Sequence, residues 1–65
     1  MPDVIIHYED PLPEHLVIKE GRLVVEHPDP RVETYYSQVH PAYCLQKELE
    51  TEHLEVKFRL QPIQV

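Results

Sequence analysis

Three short segments in the first half of the chain are rich in β-branched and other apolar residues. They cover residues 3–8, 15–19 and 22–26, and the last two flank Gly21, which is the only glycine. Runs of this composition are typical of β-strands. Because a tight hairpin turn needs a residue with positive φ, which glycine adopts without strain, the pattern predicts a hairpin centred on Glu20 and Gly21.

A helical period replaces the strand pattern in the second half. Asp29 followed by Pro30 has the form of an N-cap and a first helical residue. Apolar residues then recur every three to four positions, at Val32, Tyr35, Tyr36, Val39, Ala42, Leu45 and Leu49. Because a proline inside a helix costs about 3 kcal/mol, the pattern predicts a helix over 30–50 that kinks at His40 or restarts with Pro41 as the first residue of a second segment.

Residues 32–39 also carry a competing signal, since Val, Thr and Tyr favour strands as well. A strand over 32–39 is therefore the alternative to the first part of the helix. Residues 54–60 alternate strictly between apolar and polar side chains, which predicts a last strand with one buried face. Pro62 should end the regular pairing of that strand or mark a sheet edge.

Together these elements predict an α+β fold and a single small domain over residues 1–65. The predicted order is β, β-hairpin, kinked helix, β, with an antiparallel or mixed sheet of three to four strands and one helix on one face. Residues 9–14 contain Pro11 and Pro13 and are predicted to form an extended connector.

The first three strands carry apolar side chains on both faces. Ile5, Val17 and Val24 point away from their apolar neighbours, a pattern typical of strands that are covered on both sides. One helix covers one face only, and a chain of 65 residues has a marginal core of its own. We therefore predict a homodimer or higher homo-oligomer in which a second copy covers the other face.

The residues predicted to carry this association are Ile5, Val17, Val24, Phe58 and Leu60. The last two belong to the face predicted to pack on the helix, at Tyr35, Val39 and Leu49. The alternative is a monomer in which the proline-containing arms or the tail at residues 63–65 fold over the second face.

The net charge of the chain limits the kinds of molecule that it can bind directly. Six Lys and Arg residues against twelve Asp and Glu residues give a net charge of −6, which is the wrong sign for direct contact with nucleic acid. The same sign allows an alternative function, an acidic inhibitor that occupies the basic groove of a nucleic-acid-binding protein. No stretch approaches the roughly 20 apolar residues that span a bilayer. A single cysteine without a signal peptide indicates a cytoplasmic location.

Candidate chemistry is sparse. His40 and Cys44 are four residues apart and could share a metal ion on a regular helix, which gives a small metal-binding protein as a further alternative. Pro41 disturbs that turn, and the chain has no paired-cysteine or paired-histidine motif. Ser37 lies three residues before His40, but no glycine-rich turn accompanies them. We therefore expect no metal, no cofactor and no catalysis, and predict a small cytosolic subunit, adaptor or regulator that acts through protein contact.

Overall fold

The computed structural model describes residues 3–63, and within them it shows an α+β chain with two helices and four strands. The elements in chain order are β1 (Asp3–Glu9), β2 (Leu16–Lys19), β3 (Arg22–Val25), α1 (Pro30–Val39), α2 (Pro41–Glu52) and β4 (Lys57–Ile63). The predicted class and order of elements are confirmed. The prediction of one sheet is wrong, because β1 pairs in parallel with β4, and β2 pairs antiparallel with β3, in two separate sheets. Helix α2 contacts both β1 and β3, so it stands between the two sheets.

The predicted hairpin is confirmed, together with its turn. Lys19 pairs with Arg22, and the two residues between them, Glu20 and Gly21, have φ values of 53° and 78°. Positive φ at both central positions defines the turn type whose twist matches that of the flanking strands. Gly21 adopts this conformation without the steric cost that a Cβ atom brings.

The helix restarts at the predicted proline. The Asp29 carboxylate accepts a hydrogen bond from the Arg31 amide at 2.9 Å, so α1 begins as expected with Pro30 next to its cap. His40 is extended, with φ −96° and ψ 111°, and Pro41 opens α2. The alternative of a strand over residues 32–39 is wrong.

Six apolar side chains form the buried core within residues 3–63. They come from β1, the hairpin and α2, and are Ile6, Leu16, Leu23, Ala42, Tyr43 and Leu49. The predicted helical stripe is correct for Ala42 and Leu49 and wrong for Tyr35, Val39 and Leu45, which are exposed. In α2 the reason is that the extended residue before Pro41 resets the helical phase, so this helix buries Tyr43 and Gln46 in place of Leu45, whereas α1 buries no residue fully.

The last strand begins later than predicted. Leu54 lies in a turn after α2 and is exposed, and β4 starts at Lys57. Phe58 and Leu60 are partly buried against the core, as is Val56 just before the strand. Residues 64–65, part of the tail in the monomeric alternative, lie outside the described residues. Pro62 pairs with Tyr8 in a two-stranded sheet, so its strand is an edge strand, as predicted.

Candidate interaction surfaces

The outer edge of β3 is closed by one side chain of α2. The amide of Leu23 donates to Oε1 of Gln46 at 2.7 Å, and Nε2 of Gln46 donates to the carbonyl oxygen of Leu23 at 2.8 Å. Both residues are fully buried, so the side-chain amide takes the place of a neighbouring strand. This contact explains why the hairpin ends at β3 and does not continue into a larger sheet.

An ion pair ties the same two elements together at the surface. Arg22 donates to both carboxylate oxygens of Glu50, at 2.7 and 2.8 Å. This hydrogen-bonded pair raises the pKa of Arg22 and lowers the pKa of Glu50. A two-bond arginine–carboxylate contact fixes orientation as well as distance, so it holds α2 alongside β3.

The residues predicted to carry association lie in two different sheets. Val17 and Val24 are cross-strand partners in the hairpin, and both are partly buried outside the core cluster. Ile5 lies in β1 of the other sheet, opposite Arg59, and is 37% exposed. The single shared face predicted for these three residues is therefore absent, although each is on the side of its strand that points away from the buried core residues.

The apolar surface of the described chain is larger than its buried core suggests. Within residues 3–63 six apolar residues form the core, whereas seven large apolar side chains are exposed. The exposed side chains are those of Ile5, Ile18, Tyr35, Val39, Leu45, Leu54 and Ile63. Tyr35 and Val39 are one helical turn apart on α1 and are 58% and 51% exposed, so they form a continuous apolar strip. Contiguous exposed apolar surface is typical of sites of contact with another chain.

The β1–β4 sheet is open at both edges. Parallel sheets are normally covered on both faces and extended by further strands, yet across residues 3–63 each of these strands pairs only with the other. Ile6 in β1 is 1% exposed, whereas its partner Leu60 in β4 is only partly buried. The core therefore thins towards β4, and β4 is the less protected of the two strands.

The positive charges are distributed unevenly. Four of the six Lys and Arg residues make ion pairs with carboxylates, as Lys19 with Glu26, Arg22 with Glu50, Arg31 with Asp29 and Lys47 with Glu33. Lys57 and Arg59 have no such partner within residues 3–63. Both are exposed and lie two residues apart on β4, so they share its outer face. The strict alternation of residues 54–60 predicts from sequence that Lys57 and Arg59 share a strand face. The sequence does not show that these two side chains lack carboxylate partners.

Two of the three candidate catalytic and metal-binding side chains, those of His40 and Ser37, make local hydrogen bonds. Nδ1 of His40 accepts a hydrogen bond from the Tyr43 amide at 3.2 Å, and the Ser37 hydroxyl donates to the carbonyl oxygen of Thr34 at 2.7 Å. Cys44 is a free, exposed thiol. Among residues 3–63 no three or more His, Cys, Asp or Glu side chains are grouped to hold a metal ion. His40 therefore caps α2 and Ser37 bonds within α1, whereas the Cys44 thiol makes no hydrogen bond within residues 3–63.

A small cleft lies where the end of β1 meets the start of α2. Its volume is about 180 Å³, and it is lined by His7, Tyr8, Glu9, His40, Pro41, Ala42 and Ile63. Ligand sites usually have volumes of about 300–1,000 Å³ and carry several converging polar groups. Tyr43 does not line the cleft, and its hydroxyl donates a hydrogen bond to Glu33 at 3.0 Å. Burial raises the pKa of Tyr43 to about 12. The cleft is therefore a weaker candidate than the sheet edges and the exposed apolar strip.

The cap of α2 predicts a pH dependence of stability. Burial lowers the pKa of His40 below its ordinary 6.5, although nearby Glu9 acts in the opposite direction. Protonation also removes the Nδ1 acceptor for the Tyr43 amide. Because the folded pKa is the lower one, the contribution of His40 is complete above pH 6.5 and is lost as pH falls through the folded pKa. Urea unfolding at a series of pH values from 8 down to 5 should show this loss.

His40→Asn is the control for this prediction, because asparagine keeps an N-cap and does not titrate. The variant should lose the pH dependence that begins as pH falls below 6.5. The carboxyl groups of Glu50 and Asp29 also have lowered pKa values, but they change the stability only when the pH falls below their ordinary pKa values of 4.5 and 3.8. An unchanged slope in the variant would show that His40 is not its source.

Within residues 3–63 neither helix has the length and apolar content needed to cross a membrane. The chain matches no family model, no curated protein and no solved structure.

Proposed function

We propose that this protein is a non-catalytic interaction module that works as a subunit of a homo-oligomer. The observation that carries the proposal is that, within residues 3–63, seven large apolar side chains are exposed while six apolar residues form the buried core. Burying one aliphatic side chain contributes about 1.5–3 kcal/mol, and a chain of this size has a net stability of only about 3–5 kcal/mol. Covering part of this surface with a second copy would therefore change its stability substantially.

The hairpin supplies the first surface for such an assembly. Val17 and Val24 face each other across the two strands on the side away from Leu16 and Leu23. A cross-strand valine pair is a compact apolar contact, and a two-fold assembly needs only one self-complementary patch. Ile5 belongs to a separate sheet and would form a second part of the contact.

Val17→Asp should weaken self-association, because the contact would have to bury an unpaired carboxylate. Light scattering over a concentration series gives the dissociation constant, and we expect a rise of at least about tenfold, equivalent to about 1.4 kcal/mol. Raising the salt concentration should change the wild-type constant little, since the contact is apolar.

The matched control is Gln38→Glu, which adds the same charge at an exposed position of α1, outside the hairpin strands. Its dissociation constant should stay close to that of the unaltered protein. Equal constants for Val17→Asp and the unaltered protein would remove the hairpin from the assembly surface.

A further inference from the structure

We propose that the free edge of β4 binds an extended acidic segment of a partner protein by strand addition. The segment would alternate acidic and apolar residues and extend the β1–β4 sheet to three strands. This inference goes beyond self-association, because it uses a different surface from the hairpin and names a different partner. It rests on three observations: an open backbone edge, an incompletely covered apolar face and two exposed cations that form no ion pair within residues 3–63.

The first observation is the backbone of β4. The strand runs over seven residues, and across residues 3–63 β1 is the only strand that pairs with it. A paired strand directs its backbone groups alternately to its two sides, so β4 leaves backbone groups on the side away from β1, with no amide donor at Pro62. The hairpin edge at β3 is closed by Gln46, whereas β4 has no equivalent closure among the hydrogen bonds of residues 3–63.

The second observation is the inner face of β4. Phe58, Leu60 and Pro62 alternate along this face and remain partly buried, although Ile6 beside Leu60 is almost fully buried. A strand added to the free edge would place its own alternate side chains next to these three. Apolar residues at those positions would complete the layer that packs on the core.

The third observation is charge. Lys57 and Arg59 lie on the outer face of the same strand and have no carboxylate partner within residues 3–63, whereas the other four Lys and Arg residues are paired. Asp3 of β1 lies opposite Lys57 without forming an ion pair with it, and Arg59 lies opposite the uncharged Ile5, so the positive charge on this face is centred on Arg59. Carboxylates on alternate residues of an added strand would face both cations.

The test uses a synthetic heptapeptide with blocked ends that alternates glutamate with valine or isoleucine. We expect saturable binding by calorimetry, with amide chemical-shift changes concentrated at residues 57–63. The control peptide has lysine in place of every glutamate and should bind much more weakly. Equal binding of the two peptides, or shift changes centred on the hairpin, would overturn the proposal, as would no binding.

Arg59→Glu is the matched protein variant, because Arg59 is exposed and its partner in β1 is the uncharged Ile5. Reversing one charge removes one favourable cross-strand ion pair and creates one repulsive pair of similar size. The dissociation constant for the acidic peptide should therefore rise by about twofold to thirtyfold. The same variant should bind the lysine peptide more tightly than the unaltered protein does. Circular dichroism verifies its fold, and Arg59→Gln gives an intermediate effect if charge is the cause.

The outcome separates the two proposals. Peptide binding at β4 by a chain that stays monomeric supports the strand addition and removes self-association. Self-association without peptide binding supports the homo-oligomer and contradicts the strand addition.

Discussion

Gln46→Met is expected to remove most of the free energy of unfolding of this protein. Methionine has a similar length and helix propensity, so it fills the same space in α2. It cannot replace the two hydrogen bonds to the amide and carbonyl groups of Leu23. Both groups are buried, and each buried group left without a partner costs about 1–3 kcal/mol. Together they approach the whole stability expected of a chain this small.

Urea unfolding followed by circular dichroism measures this loss. The control is Gln38→Met, the same chemical change at an exposed position of α1, which should alter the free energy of unfolding by less than about 0.5 kcal/mol. If both variants unfold at the same urea concentration, Gln46 does not close the edge of β3 as its geometry indicates.

Ile6→Ala should destabilise the protein far more than Ile5→Ala. Ile6 is 1% exposed at the centre of the core, and truncating such a residue costs about 2–5 kcal/mol. Ile5 is the adjacent residue on the opposite face of β1 and is partly exposed, so we expect a loss of about 1 kcal/mol from weaker packing and strand propensity. The comparison uses one substitution type in one strand.

Thermal and urea unfolding at low micromolar concentration measure both variants under conditions that favour separated chains. Successive side chains of a strand point to opposite faces, so a shift of β1 by one residue would exchange the roles of the two isoleucines. Equal losses, or a larger loss for Ile5→Ala, would contradict the register in which Ile6 lies beside Leu60.

Local rules predicted much of the fold. The positive φ at Gly21, the Asp29 cap and the restart at Pro41 each depend on neighbouring residues, and all three are present. The phase of α2 was mispredicted because it depends on the conformation of His40, one extended residue that a helical period does not reveal. The separation into two sheets was also missed, since strand pairing depends on contacts between residues far apart in the chain, such as that between Gln46 and Leu23, which are 23 positions apart.

The interaction surfaces were predictable only in part. Alternation along each strand correctly placed Ile5, Val17 and Val24 away from the buried core residues, but it could not assign them to two sheets. The sequence shows that Lys57 and Arg59 share a strand face. It does not show that the other cations find carboxylate partners within the chain, because those pairs join residues brought together by folding.

We propose that this chain buries its surplus apolar surface by assembling with a second copy. Sedimentation equilibrium of the unaltered protein, from low micromolar to millimolar concentration, tests that claim most directly. We predict a molar mass that rises from 7.7 kDa towards an integer multiple of it. A constant mass of one chain over the whole range would contradict the claim.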